Sequence, residues 1–255
     1  MKITFLGTGT SQGVPVIACD CEVCQSNDLH DKRLRSSIML EIDNNNFVID
    51  TGPDFRQQML RENVKKVDAI LFTHEHKDHI AGLDDIRSFN WIYKKPMDVY
   101  AEARVLKALQ IDYSYAFSED KYPGIPEMNL HEIENKTFKI NNIDILPIRG
   151  LHYKLPVFGF KFNNFAYLTD VNFVETNEIE KIKNVKVLVI NALRKRKHLS
   201  HFNLEEALEF IKKVEPQKAY LTHISHYLGL YEIVNKELPE NVELAYDGLK
   251  LDKID

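Results

Sequence analysis

Short apolar runs, separated by glycine or polar turns, recur from one end of the chain to the other, and their pattern predicts strands mixed with helices. Ile3–Leu6 reads as a first strand, stopped by Gly7-Thr8-Gly9-Thr10. Ser37–Glu41 and Phe47–Asp50 flank Asp43-Asn44-Asn45-Asn46, residue types that tolerate the left-handed backbone of a tight turn, so the pair predicts a hairpin. Ala69–Phe72, Ile143–Ile148, Phe158–Phe162, Phe165–Leu168, Val187–Ile190 and Ala219–Leu221 read as further strands. Leu204, Ala207, Leu208, Ile211 and Val214 share one helical face, with Asn203 as N-cap and Glu206 completing a capping box, which predicts a helix over Leu204–Val214. Glu102–Leu109 predicts a second helix, and Pro123, Gly124 and Pro126 mark a surface loop. This order predicts an α/β (α+β) protein, its sheets covered by helices, as one domain over residues 1–255.

Composition narrows the class. The 255 residues are 44% hydrophobic and 28% charged, as in a globular protein with a substantial core. A net charge of -5 argues against wrapping long nucleic acid, yet permits a small phosphorylated substrate on a local basic patch. No apolar run has the length of a membrane span, and Met1–Gly7 lacks a signal segment, so a cytoplasmic protein without a membrane partner is expected. All three cysteines fall within Cys19-Asp20-Cys21-Glu22-Val23-Cys24; an odd, crowded set in a reducing compartment points to a metal rather than to disulfides.

The most informative stretch is Thr73-His74-Glu75-His76-Lys77-Asp78-His79, directly after the run Ala69–Phe72. Imidazole and carboxylate at this density suit zinc, manganese or iron. Three other strand runs lead to a candidate ligand: Ile143–Ile148 to His152, Phe165–Leu168 to Asp170 and Ala219–Leu221 to His223. The count fits two ions, with His74, His76 and His152 on one, Asp78, His79 and His223 on the other, and Asp170 between them.

On these residues the chain resembles the metallo-β-lactamase superfamily. The resemblance spans essentially the whole sequence and implies a four-layer αββα sandwich with a dinuclear site at one edge of two sheets. Asp50, in Phe47-Val48-Ile49-Asp50-Thr51-Gly52, then matches the superfamily's strand-end Asp-x-Gly motif and is expected to orient the metal loop.

Three thiolates at Cys19, Cys21 and Cys24 need a fourth ligand for tetrahedral zinc. His30 is near in sequence, and His226 lies three residues beyond His223 and can face another way. Gly7–Pro15, the cysteine trio and Leu221–His226 resemble the cyclic phosphate phosphodiesterase branch, whose best-known member accompanies the carbon–phosphorus lyase pathway. That resemblance implies a structural zinc on Cys19, Cys21, Cys24 and His226, a 5-phosphoribosyl 1,2-cyclic phosphate type of substrate, and homodimers.

Two ions lower the pKa of a bridging water, so that a hydroxide exists near neutral pH, and offset charge on a phosphoryl or carbonyl oxygen. Zn2+ and Mn2+ both suit the ligand set. The leaving oxygen then needs a proton. His201, just before the capped helix, matches the branch's leaving-group acid, and with Asp78 completes the candidate catalytic residues. The run Arg194-Lys195-Arg196-Lys197 reads either as a phosphate subsite or as a solvated loop. Arg33 and Arg35 fit the branch without an assigned role; Asp247 matches a late motif; His30 and His131 read as surface residues. Competing readings are a tRNA 3′-processing nuclease, an acyl (thioester or lactone) hydrolase and a non-hydrolytic protein of the pyrroloquinoline-quinone biosynthesis type.

Overall fold

Residues alternate between two environments along the strands, and that alternation builds the layers. The computed structural model describes residues 1–119 and 123–254. In chain order its strands are β1 (Lys2–Gly7), β2 (Ser37–Ile42), β3 (Asn45–Ile49), β4 (Ala69–Leu71), β5 (Met97–Ala101), β6 (Met128–Glu132), β7 (Phe138–Ile140), β8 (Ile143–His152), β9 (Leu155–Phe162), β10 (Phe165–Leu168), β11 (Phe173–Val174), β12 (Val187–Asn191), β13 (Lys218–Thr222), β14 (Val242–Leu244) and β15 (Lys250–Leu251). One sheet has the order β15-β1-β2-β3-β4-β5-β6; the other runs β11-β8-β9-β10-β12-β13-β14, with β7 on β8.

Phe47 and Ile49 on β3 face Phe158, Phe160 and Phe162 on β9, in a core between the sheets. Val48, between them in sequence, faces outward onto Phe55, Met59, Val105 and Leu109. On the second sheet Val187 and Val189 point inward, while Leu188 and Ile190 pack under Ala207, Phe210 and Ile211. Helix, sheet, sheet and helix therefore stack in four layers, as the family resemblance implies. Each fully buried Ile, Leu or Phe stabilises this stack by roughly 1.5–3 kcal/mol. The helices in chain order are α1 (Glu22–Gln25), α2 (Phe55–Arg61), α3 (Lys77–Ile80), α4 (Arg87–Tyr93), α5 (Ala103–Asp112), α6 (Thr176–Lys181), α7 (Leu204–Val214) and α8 (Tyr231–Glu237).

The predicted hairpin forms, with Asp43 and Asn44 both at positive φ (46° and 64°), as a two-residue turn requires. α7 carries the predicted capping box: Asn203 accepts from the Glu206 N–H, and Glu206 accepts from that of Asn203. β8 runs four residues past its predicted end, so His152 closes the strand itself. The helix predicted over Glu102–Leu109 starts at Ala103 and extends to Asp112.

β3 to β6 are parallel, as are β10, β12, β13 and β14. The loops leaving β3, β4, β10 and β13 all contribute to one edge of the sandwich. A hydrogen bond from the Phe158 N–H to the Thr73 carbonyl (3.0 Å) ties the sheets together there. Among the described residues no helix is long and apolar enough to cross a membrane.

Candidate functional site

Three candidate residues occupy the first left-handed position after a strand: Asp50 (φ 65°), Asp170 (58°) and His223 (54°). A non-glycine residue held there costs about 1–3 kcal/mol and persists only where its surroundings fix it. Asp50 is fixed by three hydrogen bonds, accepting from the Thr73 N–H (2.9 Å), Thr73 Oγ1 (2.9 Å) and His79 Nδ1 (2.7 Å). The glycine of the Asp-x-Gly motif has a physical cause: a Cβ at Gly52 would collide with the Asp78 carbonyl, so only glycine lets this turn pack on the histidine loop. Asn191, at the end of β12, pairs with both backbone groups of Val171 (2.8 and 3.0 Å) and fixes the turn that carries Asp170.

Two groups of side chains meet at this edge. His74, His76 and His152 form a triangle of rings, with centroids 4.6, 5.1 and 5.7 Å apart and His74 Nε2 3.0 Å from His76 Nδ1. Asp78, His79, Asp170 and His223 bring one candidate ligand atom each within 4.8 Å of all the others. Asp170 Oδ2 lies 3.2 Å from His79 Nε2 and 3.1 Å from His223 Nδ1. His152, Asp170 and His201 form a further such group, so the structure places His201 beside the candidate ligands.

Neighbouring groups set which ring nitrogen is free. Thr73 Oγ1 donates to Asp50, so its lone pair accepts from His74 Nδ1 (3.0 Å), leaving His74 Nε2 unprotonated toward His76. His152 Nδ1 donates to the Ser200 carbonyl (2.9 Å), leaving its Nε2 free. His79 Nδ1 is held by Asp50, and its fully buried Nε2 lies 3.1 Å from Asp78 yet makes no aligned hydrogen bond. A buried ring nitrogen among carboxylates without a directed partner fits a cation between them. Sequence reasoning did not single out Thr73 or Ser200.

The electrostatics agree. Burial, reinforced by His79, holds His74 well below the usual imidazole range, in the neutral form that binds metal. Burial alone would also neutralise His79, but the carboxylates of Asp78, Asp170 and Asp50 outweigh it and hold that ring well above its ordinary pKa. Asp170 opposes its own burial through His223 and His79 and is held well below the carboxylate range. The cluster thus demands positive charge at its centre, and divalent ions fit it. Burial pushes the His201 pKa down to about 3, against the pull of Asp170 Oδ1 at 3.7 Å from its Nδ1, so the free ring is neutral near pH 7.

Cys19, Cys21 and Cys24 converge on His226, their Sγ atoms 3.3, 3.2 and 3.4 Å from its Nδ1. All four candidate ligand atoms lie within 4.8 Å of one another, a fit for tetrahedral zinc. Burial raises the Cys24 thiol to about 11. It opposes, but does not prevent, the lowering of Cys21 to about 6 by the Cys24 N–H, His226 and the other sulfurs.

Other candidates find structural partners. Arg33 is buried and donates to Thr8 Oγ1 and the Ala245 carbonyl; Arg35 pairs with Asp54. Asp247 accepts from the Thr8 and Leu34 N–H groups and braces the N-terminal loop. Arg194 donates to the carbonyls of Arg196 and Lys197 and Lys195 pairs with Glu237, while Lys195, Arg196 and Lys197 remain exposed. His30 is more than a surface residue: it stacks on Tyr231 (4.4 Å) and meets Tyr246 edge-on. His131 is half-exposed against Tyr100 and pairs with Asp98.

The chain is similar to known proteins. The family model described as a beta-lactamase superfamily domain matches residues 45–224. That range spans Asp50 to His223 and leaves all four residues of the cysteine group outside. An octanoyltransferase of Porphyromonas gingivalis is 40% identical over 253 residues, 98% of this chain but 51% of that protein. A ribonuclease Z of Methanococcus maripaludis is 26% identical over 213 residues, 80% of this chain and 59% of that protein. The chain thus spans only about half of these curated relatives. A solved structure described as a new diphosphatase from the PhnP family superposes with a TM-score of 0.92 at 38% identity, covering 99% of this chain and 97% of the other.

Proposed function

This chain belongs to the metallo-β-lactamase superfamily of hydrolases, and from that premise we propose that it is a dinuclear metal-dependent phosphodiesterase for small phosphorylated substrates, a cyclic phosphate first among them. The observation that carries this reading is the convergence of His74, His76, Asp78, His79, His152, Asp170 and His223, with partners behind His74, His79 and His152 that leave a nitrogen facing inward. The phosphorus chemistry is supported by two relatives, the diphosphatase and the ribonuclease Z. The net charge of -5 favours a small substrate over a long nucleic acid.

His74, His76 and His152 would hold one ion, Asp78, His79 and His223 the second, and Asp170 both; Cys19, Cys21, Cys24 and His226 would hold a structural zinc. A pair of divalent ions, Zn2+ or Mn2+, supplies Lewis acidity and lowers the pKa of water toward neutrality. The chain does the rest. Asp50 fixes the ring of His79, the Ser200 carbonyl fixes that of His152, and His201 protonates the leaving oxygen. Burial disfavours the protonated form of His201, while Asp170 and the negative charge of an arriving phosphate favour it.

Acyl chemistry is the second reading, favoured by the 40% identity to the octanoyltransferase. One assay separates the two: bis(p-nitrophenyl) phosphate, a five-membered cyclic sugar phosphate and an octanoyl thioester, each with Mn2+- or Zn2+-loaded protein. Metal-dependent turnover of the phosphates is expected, with Asp170→Ala lowering it at least about 10³-fold, or about 4 kcal/mol of barrier. Thioester cleavage without phosphate cleavage would replace this proposal by the acyl reading.

A further inference from the structure

Charged residues around the histidine loop form a continuous chain without entering the ligand cluster. Glu75, between His74 and His76, pairs with the Arg104 guanidinium at the start of α5. Arg104 Nη2 also donates to the Pro156 carbonyl on β9 (2.5 Å) and lies 3.5 Å from Glu102. Glu102 takes Arg149 through both carboxylate oxygens, at 2.7 and 3.1 Å. Arg149 lies on β8, three residues before His152, with its guanidinium 3.8 Å from the centre of the Phe158 ring. The sequence Glu75–Arg104–Glu102–Arg149 thus alternates in charge from the loop of His74 and His76 to the strand of His152.

An isolated surface ion pair contributes little, because two long side chains must be ordered in water. These side chains are only 23–33% exposed, and each fork orders the next. The arms also end on different sheets, so the chain fixes a distance rather than only adding attraction. We infer that Arg104 is a positioning residue: with Glu75, Glu102 and Arg149 it sets the separation of the His74/His76 loop from His152, and with it the geometry in which these imidazoles take an ion. This inference rests on the two-ion reading.

The test uses the metal-stripped full chain titrated with Co2+, with ions counted per molecule and the visible spectrum recorded. Thiolate-to-cobalt bands report the cysteine group separately. Wild type should take two ions beyond that group. Arg104→Met should weaken one of the two roughly 10–100-fold, with the thiolate bands and melting temperature kept. Arg104→Lys keeps the charge without the fork and should fall between. If Arg104→Met fails to fold, Glu102→Gln breaks the same chain at its middle and should act in the same direction. Wild-type affinity for both ions in the variant would overturn the inference while the two-ion reading stands, as would equal weakening of both. Absence of the two ions from wild type would remove the two-ion reading and this inference with it.

Discussion

His223 and His226 are three residues apart, yet they belong to sites built in opposite ways. The sheet-edge cluster sits on the ends of β3, β4, β8, β10 and β13, above the core between the sheets, and three of its imidazoles are held from behind by Thr73, Asp50 and Ser200. The cysteine group sits on loops and the one-turn α1, over a small apolar cluster whose buried members are Val14, Val23 and Cys24 itself. Its four side chains chiefly meet one another, and the Val16 N–H on Cys24 (3.3 Å) is the backbone support from outside the group. The fold therefore supports the first site from behind, whereas the second group is held chiefly by its own members, as a zinc that organises its surroundings would require.

The largest effects should come from substituting the two neighbours. His223→Ala should lower turnover at least about 10³-fold while the melting temperature holds. His226→Ala should do the reverse. A loss of about 3 kcal/mol, a fraction of the ~10–16 kcal/mol that structural zinc contributes in zinc-finger peptides, lowers melting by roughly 6–12 °C with turnover per folded molecule kept. Calorimetry and a turnover assay on both variants check the pair; matching profiles would break the comparison. Next in size is His201→Ala, expected to slow substrates with poor leaving groups about 10²–10⁴-fold and p-nitrophenyl esters far less, since p-nitrophenolate needs little protonation. Equal losses on both substrates would leave His201 with a ligand or packing role beside Asp170.

How much of this was legible depended on whether a signal was local. A short apolar run is a local signal, so Phe47-Val48-Ile49 and Val187–Ile190 read as strands, and the structure buries both faces of each. The four layers followed from family resemblance rather than from the pattern. α2, α4, α6 and α8, of seven, seven, six and seven residues, are too short for helical periodicity to register. The cluster was legible because four of its members fall within six residues and the others follow strand runs. Of its supports only Asp50 was, through the family resemblance: Ser200 acts through a carbonyl, and Arg104 reaches Glu75 across 29 positions. The basic run stayed open between two readings, since charge alone cannot show that Arg194 turns back onto its own loop while Lys195, Arg196 and Lys197 stay exposed.

The smallest expected effect sharpens the comparison most, because it alters the supported site without touching a ligand. Asp50→Asn keeps the size of a fully buried side chain that accepts three hydrogen bonds. The amide can still accept from the Thr73 N–H, but its NH2 then faces two donors, Thr73 Oγ1 and His79 Nδ1. The imidazole escapes by moving its proton to Nε2, the atom among Asp78 and Asp170 that an ion would use. Ion affinity at the sheet edge should fall roughly 10–100-fold, with the cysteine group's ion count unchanged. Stability should change little, because burial pushes the Asp50 carboxyl up and its charge is already a burden on the fold. Metal titration and calorimetry on one sample decide it. Unchanged affinity would show that Asp50 does not set the His79 tautomer, and a melting drop as large as that of His226→Ala would show that the sheet-edge cluster, too, holds its own fold together.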